Sequence, residues 1–272
     1  MVFVNQELAC RLETAHAWRG VQYARAQGLL HPECHATAEA ITGGYAIYAG
    51  AGSPANRAVG LGQHGPVRGP DMELVEQFYQ KRDSLPRIDL CPLADPSLLP
   101  WTVGYRLEGF HSVLFKPTQD EERPGCHNVE VRISRARPED AELWIATVAQ
   151  GFSGQDEPPQ ETLDVISPTF CSAETVCFLA WIGNEPVGGA AVIWHGGVAE
   201  LGSGSTRTAY RRRGVQAALL QAGVAAAREA GNDVAMVLTS PASDSQRNVE
   251  RAGFRLAYTK AQLVRGGPDG RS

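Results

Sequence analysis

Three arginines and one glycine stand between a strand-like segment and an alanine-rich segment. Residues 206–217 read TRTAYRRRGVQA, and the alanine-rich residues continue to about Gly231. A helix begins with unpaired backbone N–H groups and the positive end of its dipole, which together attract anions. Because glycine has no Cβ to hold a ligand away, Gly214 to Ala217 are predicted to bind a phosphate group at the helix start.

The arginines allow two interpretations. Arg211, Arg212 and Arg213 repel one another and the positive end of the helix dipole, and a bound diphosphate would relieve that repulsion. Alternatively, they form a solvated basic patch at the start of a surface helix. The pattern favours the anion site and leaves the solvated patch open.

Composition narrows the possible classes of protein. The chain has 272 residues, more than one average domain, and 43% of them are hydrophobic. Its longest apolar runs, such as 190–194, are much shorter than a membrane span, so we expect no membrane segment, no signal peptide and a cytoplasmic location. Six cysteines without C-x-x-C spacing are expected to be reduced thiols. The net charge of −5 argues against a nucleic-acid partner and suits a cationic one.

The second half of the chain alternates between strand and helix patterns. Strands are predicted at 129–135, 176–182, 186–194, 198–206, 233–239 and 254–264, and helices at 138–149, 215–230 and 244–252. Residues 151–160 are predicted to form a polar loop.

The first half repeats the closing part of that order. A helix from Pro70, a strand at 87–91 and a short helix at 95–103 lead to the run Gly104-Tyr105-Arg106-Leu107. This run matches Gly253-Phe254-Arg255-Leu256, and a leucine follows ten positions after each glycine. The match predicts an internal duplication, with the Pro- and acid-rich residues 117–128 as the linker.

The arginine-glycine stretch and the elements around it resemble the GNAT superfamily of acyl-CoA-dependent N-acyltransferases. The phosphate loop of that family follows the pattern Arg/Gln-x-x-Gly-x-Gly/Ala, which Arg211 to Gln216 match except that Gln216 replaces the last small residue. The resemblance covers residues 129–265 and, in topology only, the first half. It implies an α/β (α+β) protein with two GNAT-like domains, each a mixed, mostly antiparallel sheet flanked by helices. The expected segments are a degenerate domain at 1–116, a linker at 117–128, a GNAT domain at 129–265 and a disordered tail at 266–272.

The resemblance also implies a reaction and a set of binding residues. The second domain would transfer an acetyl group from acetyl-CoA to a primary amine, on a small molecule or a peptide, by direct attack in a ternary complex. The pantetheine arm would lie along the strand that ends at Thr206, as an added strand. The implied cofactor-binding residues are Ser205, Thr206, Arg211, Arg212, Arg213, Gly214, Val215, Gln216, Ala217 and Asn248, and no metal site is expected.

The catalytic roles are less completely assigned. Glu200 lies eleven residues before Arg211, where the histone-acetylating branch of the superfamily carries its glutamate, and is the predicted base. A solvent-facing or arginine-paired Glu200, with ordered water as the base, stays an alternative. A backbone N–H near Thr206 is expected to bind the oxyanion. Many relatives place an acidic tyrosine at the position of Val249, so the acid stays unassigned.

The acceptor pocket is predicted around the helix and loop after Pro138. Trp144, Phe152, the loop 153–160 and His195 are its candidates. Tryptophan and phenylalanine are more often core residues, and a lone histidine at a strand end is usually structural. The sequence specifies neither the acceptor nor the oligomeric state.

The sequence contains two other motifs, a glycine-rich run and a cluster of metal-ligand residue types, and it allows one other function. Residues 60–65 spell G-x-G-x-x-G, but a proline-containing turn follows instead of a helix. Residues 31–35 contain metal-ligand types but supply only a partial ligand set. The first domain has no arginine-glycine loop and is expected not to bind acyl-CoA. The alternative function for the second domain is that of a non-catalytic acyl-CoA-binding sensor.

Overall fold

The computed structural model describes residues 4–120 and 130–266. The predicted linker at 117–128 and the predicted tail at 266–272 lie outside these residues, apart from 117–120 and Gly266.

The chain divides into two compact units. Within the described residues, unit 1 comprises 4–113, 239–241 and 256–266, and unit 2 comprises 114–120, 130–238 and 242–255. The predicted second domain at 129–265 differs from unit 2 mainly in the last strand, whose residues from Leu256 onward cluster with unit 1. The domain boundaries themselves stay a prediction.

Unit 1 is a mixed sheet with two helices. Its elements are α1 (Gln6–Leu30), β1 (Thr37–Ile41), β2 (Gly44–Tyr48), β3 (Arg57–Val59), α2 (Gly69–Gln80), β4 (Arg87–Leu90), most of β5 (Tyr105–Pro117) and β11 (Arg255–Arg265). The strands follow the order β1-β2-β3-β4-β11-β5, and β3 and β4 are parallel. The last strand of the chain is therefore inserted between two strands of the first half.

The core of unit 1 lies between this sheet and α2. As the periodicity predicts, Met72, Val75 and Phe78 of α2 are all buried. Tyr79 is buried beside them, and its hydroxyl donates to Ile47 O at 3.1 Å. The apolar face of α2 therefore fixes the helix on the sheet.

The long helix α1 and the hairpin of β1 and β2 were not predicted. Asn5 caps α1 by accepting the N–H of Leu8 at 2.9 Å. Five of the ten buried residues of α1 are alanines and two are Glu13 and Gln22, so its inner face carries a weak hydrophobic signal. A helix that packs through small side chains is stabilised by its close contacts with the rest of the fold. Such a helix lacks the regularly spaced large apolar residues by which a helix is recognised in a sequence.

Unit 1 also contains a buried network of ion pairs. The Lys260 ammonium lies 3.1 Å from Glu13 Oε2 and 3.2 Å from Asp89 Oδ2, and all three side chains are buried. Arg57 donates to Asp89 Oδ1 at 2.6 Å, and the Tyr258 hydroxyl donates to Glu13 Oε1 at 2.9 Å. Each buried charge is thereby matched by an opposite charge.

Unit 2 has the order of elements that the sequence predicts, with one helix more. Its elements are β6 (Val131–Arg135), α3 (Ala141–Ser153), α4 (Gln160–Cys171), β7 (Thr175–Ile182), β8 (Glu185–His195), β9 (Val198–Thr206), α5 (Val215–Glu229), β10 (Val234–Thr239) and α6 (Asp244–Arg251). The strands follow the order β5-β10-β9-β8-β7-β6. Helix α4 was missed; it contains Pro168, a residue that normally interrupts a helix.

The sheet of unit 2 is covered on both faces. One apolar cluster lies under α5 and includes Leu201, Leu219 and Val224. The other lies under α3 and α4 around Trp144, whose indole N–H donates to Phe178 O at 3.0 Å. Trp144 is fully buried, which confirms the core alternative for this residue.

We predict that Asp89→Asn destabilises unit 1 and alters its acid sensitivity. Burial alone would raise the pKa of Asp89, but the charges of Lys260 and Arg57 outweigh it and hold the pKa well below its usual range. Breaking a buried pair costs about 3–5 kcal/mol at neutral pH. Because the pKa is depressed in the folded state, this stability is present above about pH 3.9 and is lost as the pH falls below it.

The measurement is urea unfolding of the wild type and the variant at pH 7 and near pH 3, with hydrogen exchange of β4 and β11 to assign the transition to unit 1. The difference in the free energy of unfolding between the wild type and Asp89→Asn should be smaller near pH 3 than at pH 7. The control is Glu229→Gln, which removes an exposed ion pair with Arg135 and should have little effect at either pH. A difference in the free energy of unfolding that is the same at both pH values contradicts a stabilising role for the ionised form of Asp89.

Candidate functional site

A gap opens between the two parallel strands of unit 2. β9 and β10 pair from Val198 opposite Val234 as far as Leu201 opposite Val237. Both strands continue beyond this point, β9 to Thr206 and β10 to Thr239. The backbone of residues 202–206 therefore has an open edge, where an extended ligand could pair as an added strand.

A β-bulge lies in β9 at the start of this gap. Gly189 pairs with Ser205 and Ala191 pairs with Gly202, so β9 has one residue more than β8 between these pairs. Ser203, in the bulge, has a left-handed backbone with φ of 51°. The sequence interpretation missed the bulge, although the run of small residues at 202–204 is the kind of signal that marks one.

The backbone N–H of Thr206 points toward the open edge. The next residue, Arg207, donates its N–H across to Val187 O at 2.9 Å, on the β8 side. Consecutive N–H groups of a strand point to opposite edges, so that of Thr206 is directed away from β8. The Ser205 hydroxyl donates to Val148 O of α3 at 3.0 Å, and by the same alternation the backbone N–H of Ser205 points toward Gly189 of β8.

Helix α5 begins with N–H groups that have no acceptor. Gly214, which precedes the helix, has φ of 79°, a left-handed conformation that glycine adopts without strain. The N–H of Ala218 donates to Gly214 O at 3.0 Å. In the part of the chain that the structure describes, the N–H groups of Gly214 to Ala217 have no acceptor. We call these four residues the cradle; their N–H groups can bind an anion.

Two of the three clustered arginines have partners within unit 2. Arg211 donates from Nη2 to Gly151 O at 3.0 Å and from Nε to Thr206 O at 3.4 Å. Arg213 forms a short ion pair with Glu130. These contacts relieve part of the repulsion among the arginines without a bound anion.

Arg212 is the arginine that faces solvent without a partner. Among residues 4–120 and 130–266, its exposed guanidinium has no hydrogen bond or ion pair, and its backbone is left-handed with φ of 64°. Arg207, earlier in the loop, is held by Pro186 O at 3.1 Å and lies 3.7 Å from Asp156. Arg212 is therefore the cation most available to a ligand.

Gln216, which departs from the family pattern, is bound to α6. Its Oε1 accepts from Asn248 Nδ2 at 2.8 Å, and its Nε2 lies 3.5 Å from Ser245 Oγ. The side chain is thus held toward α6. Val215 points the other way, into the core under α5, so both residues offer the cradle their backbone N–H groups.

Glu200 is buried in the paired part of β9, just before the gap. It is 1% exposed and pairs with Ile193 of β8 and Met236 of β10. Its neighbours Ala199 and Leu201 pack under α5. Because side chains alternate along a strand, Glu200 lies on the opposite face, which α3 covers.

The residues that were predicted to line the acceptor pocket do not all lie near the cradle. Phe152 is exposed at the end of α3, close in sequence to the loop 154–159. His195 precedes the turn into β9, at the opposite end of that strand from Thr206 and about 25 Å away by strand length. Trp144 is a core residue. Phe152 and the following loop are thus the candidates that remain near the cradle.

Tyr210, Tyr258 and Val249 lie in different surroundings. Val249 is fully buried in the core under α5. Tyr258 belongs to unit 1, where its hydroxyl donates to Glu13. Tyr210 lies in residues 207–213, which lead from β9 to the cradle and are called the cradle loop. The guanidinium carbons of Arg207 and Arg213 are each 5.6 Å from its ring centroid.

The corresponding helix start in unit 1 is closed by the chain's own groups. The N–H of Arg68 donates to Asp71 Oδ2, and the N–H of Val67 donates to Ser97 Oγ, each at 2.8 Å. Pro70 lies in the first turn of α2 and has no N–H to offer. A carboxylate at this helix start repels a phosphate, so the arrangement disfavours an anion at α2.

The described residues contain no group of three or more His, Cys, Asp or Glu side chains placed to hold a metal ion. None of the helices formed by these residues is both long enough and apolar enough to cross a membrane.

Residues 142–254 match the model of the acetyltransferase (GNAT) family. The matched segment contains Glu200, the three arginines, the cradle and Asn248. No curated protein matches the chain.

Solved structures resemble the chain over both halves. A GCN5-related N-acetyltransferase from Kribbella flavida is 19% identical over 90% of this chain and 95% of its own, with a TM-score of 0.63. A GCN5-related N-acetyltransferase from Sphaerobacter thermophilus is 16% identical over 71% of this chain and 66% of its own, with a TM-score of 0.56. A tandem GNAT protein from the clavulanic acid biosynthesis pathway is 13% identical over 81% of this chain and 77% of its own, with a TM-score of 0.55. At these identities the similarity establishes the fold.

We predict that Gly151→Ala loosens α3 from β9. A Cβ at residue 151 would lie 2.5 Å from Ser205 Oγ, 2.7 Å from Ser205 Cβ and 3.0 Å from Thr206 N, so the strand end must shift. Overpacking of this kind costs about 1–3 kcal/mol. Urea unfolding measures the loss. Gly204→Ala is the control, because its Cβ would meet no atom of the described residues within 4 Å; equal stability of the two variants contradicts the close contact.

Proposed function

We propose that the domain containing residues 142–254, which match the GNAT acetyltransferase family model, transfers an acetyl group from acetyl-CoA to a primary amine. The amine attacks the thioester directly while donor and acceptor are both bound. The observation that carries the proposal is the cradle beside the open edge of β9. Together they offer one surface for a diphosphate and one for an extended amide chain.

The donor is bound mainly by backbone groups. The N–H groups of Gly214 to Ala217 bind the diphosphate, and the positive end of the α5 dipole favours its charge. Arg212 and Arg213 add positive charge at the same place, and Asn248 lies beside them through Gln216. The pantetheine amides pair with the open edge of β9 around Ser205 and Thr206.

The chemistry needs a neutral amine and a place for the negative charge that develops on the thioester oxygen. An alkylamine is protonated at neutral pH, and the carboxylate of Glu200, beside the gap, accepts its proton directly or through a water molecule. The N–H of Thr206, which points to the open edge, donates to the oxyanion. The departing thiolate takes a proton from a group that stays unassigned.

The acceptor approaches from the face covered by α3. The exposed ring of Phe152 and the loop 154–159 form one wall in this proposal, and the acidic side chains of that loop suit a cationic amine. Unit 1 does not bind a second acyl-CoA, because Asp71 and Pro70 occupy the start of α2.

The first test is calorimetry of the intact protein with CoA, followed by thiol release from acetyl-CoA with a panel of primary amines. Binding with thiol release that depends on the amine supports the transferase. Binding without release across the panel supports the acyl-CoA sensor, and the absence of any heat of binding removes both.

We predict that Gly214→Ala weakens CoA binding and that Gly231→Ala does not. Both glycines have φ of 79° and stand at opposite ends of α5, so each substitution strains the backbone by about 1–2 kcal/mol. Only at residue 214 does the Cβ enter the cradle and displace its N–H groups. Calorimetry with CoA and urea unfolding separate the two effects; equal affinities of the two variants would exclude the cradle as the binding site.

We predict that Glu200→Gln lowers kcat by about 10²–10⁴-fold, because an amide cannot accept the proton of the amine. Affinity for CoA should be unchanged. The measurement is steady-state thiol release at several pH values with an amine that the wild type acetylates. Glu229→Gln, on the exposed end of α5, is the control. A wild-type rate for Glu200→Gln assigns proton removal to another group.

A further inference from the structure

Arg211 connects two helix ends that carry opposite partial charges. Its Nη2 lies 3.0 Å from the carbonyl oxygen of Gly151, which is in the last turn of α3. The carbonyl groups in the last turn of a helix have no partner within the helix and carry its negative partial charge. Arg211 also lies three residues before Gly214, at the positive end of α5. The α3 contact thus offsets the unfavourable position of this arginine near α5.

A second contact ties the same side chain to the strand that leads into the cradle loop. Arg211 Nε lies 3.4 Å from Thr206 O, in the last residue of β9. The guanidinium group therefore bridges the last turn of α3 and the end of β9, and two of its nitrogen atoms are directed at backbone carbonyls. A lysine at this position has a single ammonium group and lacks the planar fork that matches two acceptors.

The segment after α3 depends on this last turn. Gly154 ends the helix with φ of 72°, and its N–H donates to Gln150 O at 2.9 Å. The Gln150 side chain then donates to Asp156 O at 2.8 Å, inside the loop 154–159. The Ser205 hydroxyl holds α3 one turn earlier, at Val148 O. Arg211 thus joins the cradle loop to the last turn of α3, from which the loop 154–159 starts. Arg207, 3.7 Å from Asp156, is a second and more exposed contact, to the loop itself.

We propose that Arg211 is a positioning residue that couples occupation of the cradle to the order of the loop 154–159. The inference rests on the proposed function, in which an anion binds at Gly214 to Ala217. That anion fixes the cradle loop and holds Arg211 in place, and Arg211 then holds the last turn of α3. The donor site thereby orders one wall of the acceptor site, and Arg211 acts through the backbone instead of by direct contact with the diphosphate.

The test is hydrogen exchange of peptides that cover residues 148–160, with and without saturating CoA, in the wild type and in Arg211→Gln. In the wild type, CoA should slow exchange in this segment by about fivefold, the lower end of usual coupling strengths. Arg211→Gln should bind CoA with an affinity reduced by less than about fivefold, the size of one exposed charge contact, and should lose the slowing. Arg211→Lys should retain part of it.

The control is Arg212→Gln, which should bind CoA more weakly and still show the slowing once CoA saturates it. A merely structural role for Arg211 predicts faster exchange in both states of Arg211→Gln, with the effect of CoA preserved, and that result overturns the coupling. A wild type that binds CoA without any change at 148–160 also overturns it. A wild type that does not bind CoA refutes the proposed function itself, and the coupling with it.

Discussion

The pairing of the parallel strands β9 and β10 ends inside unit 2 and leaves backbone groups of both strands without a strand partner. Up to Leu201 and Val237 the strands satisfy each other's backbone groups, and beyond them each strand continues with one free edge. Backbone N–H and C=O groups require partners. In the proposed function, a ligand that carries amides of its own supplies them. The bulge at Ser203 lies where the pairing ends, between Glu200 and Thr206.

The charges around the gap are balanced largely by the protein's own groups. Arg213 pairs with Glu130, Arg207 lies near Asp156, and Arg211 bonds to two backbone carbonyls. Most of the positive charge around the gap therefore has a favourable contact within the protein. What an anion adds is an acceptor for the cradle N–H groups and a partner for Arg212.

The two units contain similar elements but differ at the start of the helix that connects their parallel strands. Each has a parallel strand pair with a helix between. In each half of the sequence a left-handed glycine, Gly104 or Gly253, precedes a long strand. The repeated run around these glycines thus has a common backbone requirement, since only glycine takes this conformation without strain. In unit 1, Asp71 occupies the helix start and ion pairs fill part of the interior; in unit 2 the helix start is left open.

Local sequence patterns were sufficient to predict the elements of unit 2 other than α4, the start of α5 after Gly214 and the position of Glu200 on β9. Alternation, capping residues and glycine act over a few residues, so they can be recognised without the fold. The helix α1, in which half of the ten buried residues are alanines, and α4, with Pro168 inside it, gave no clear pattern because packing stabilises them. The partners of Arg211 and Gln216 are 60 and 32 residues away along the chain. Only the tertiary structure could decide them, because contacts between distant segments depend on how the sheet and helices pack.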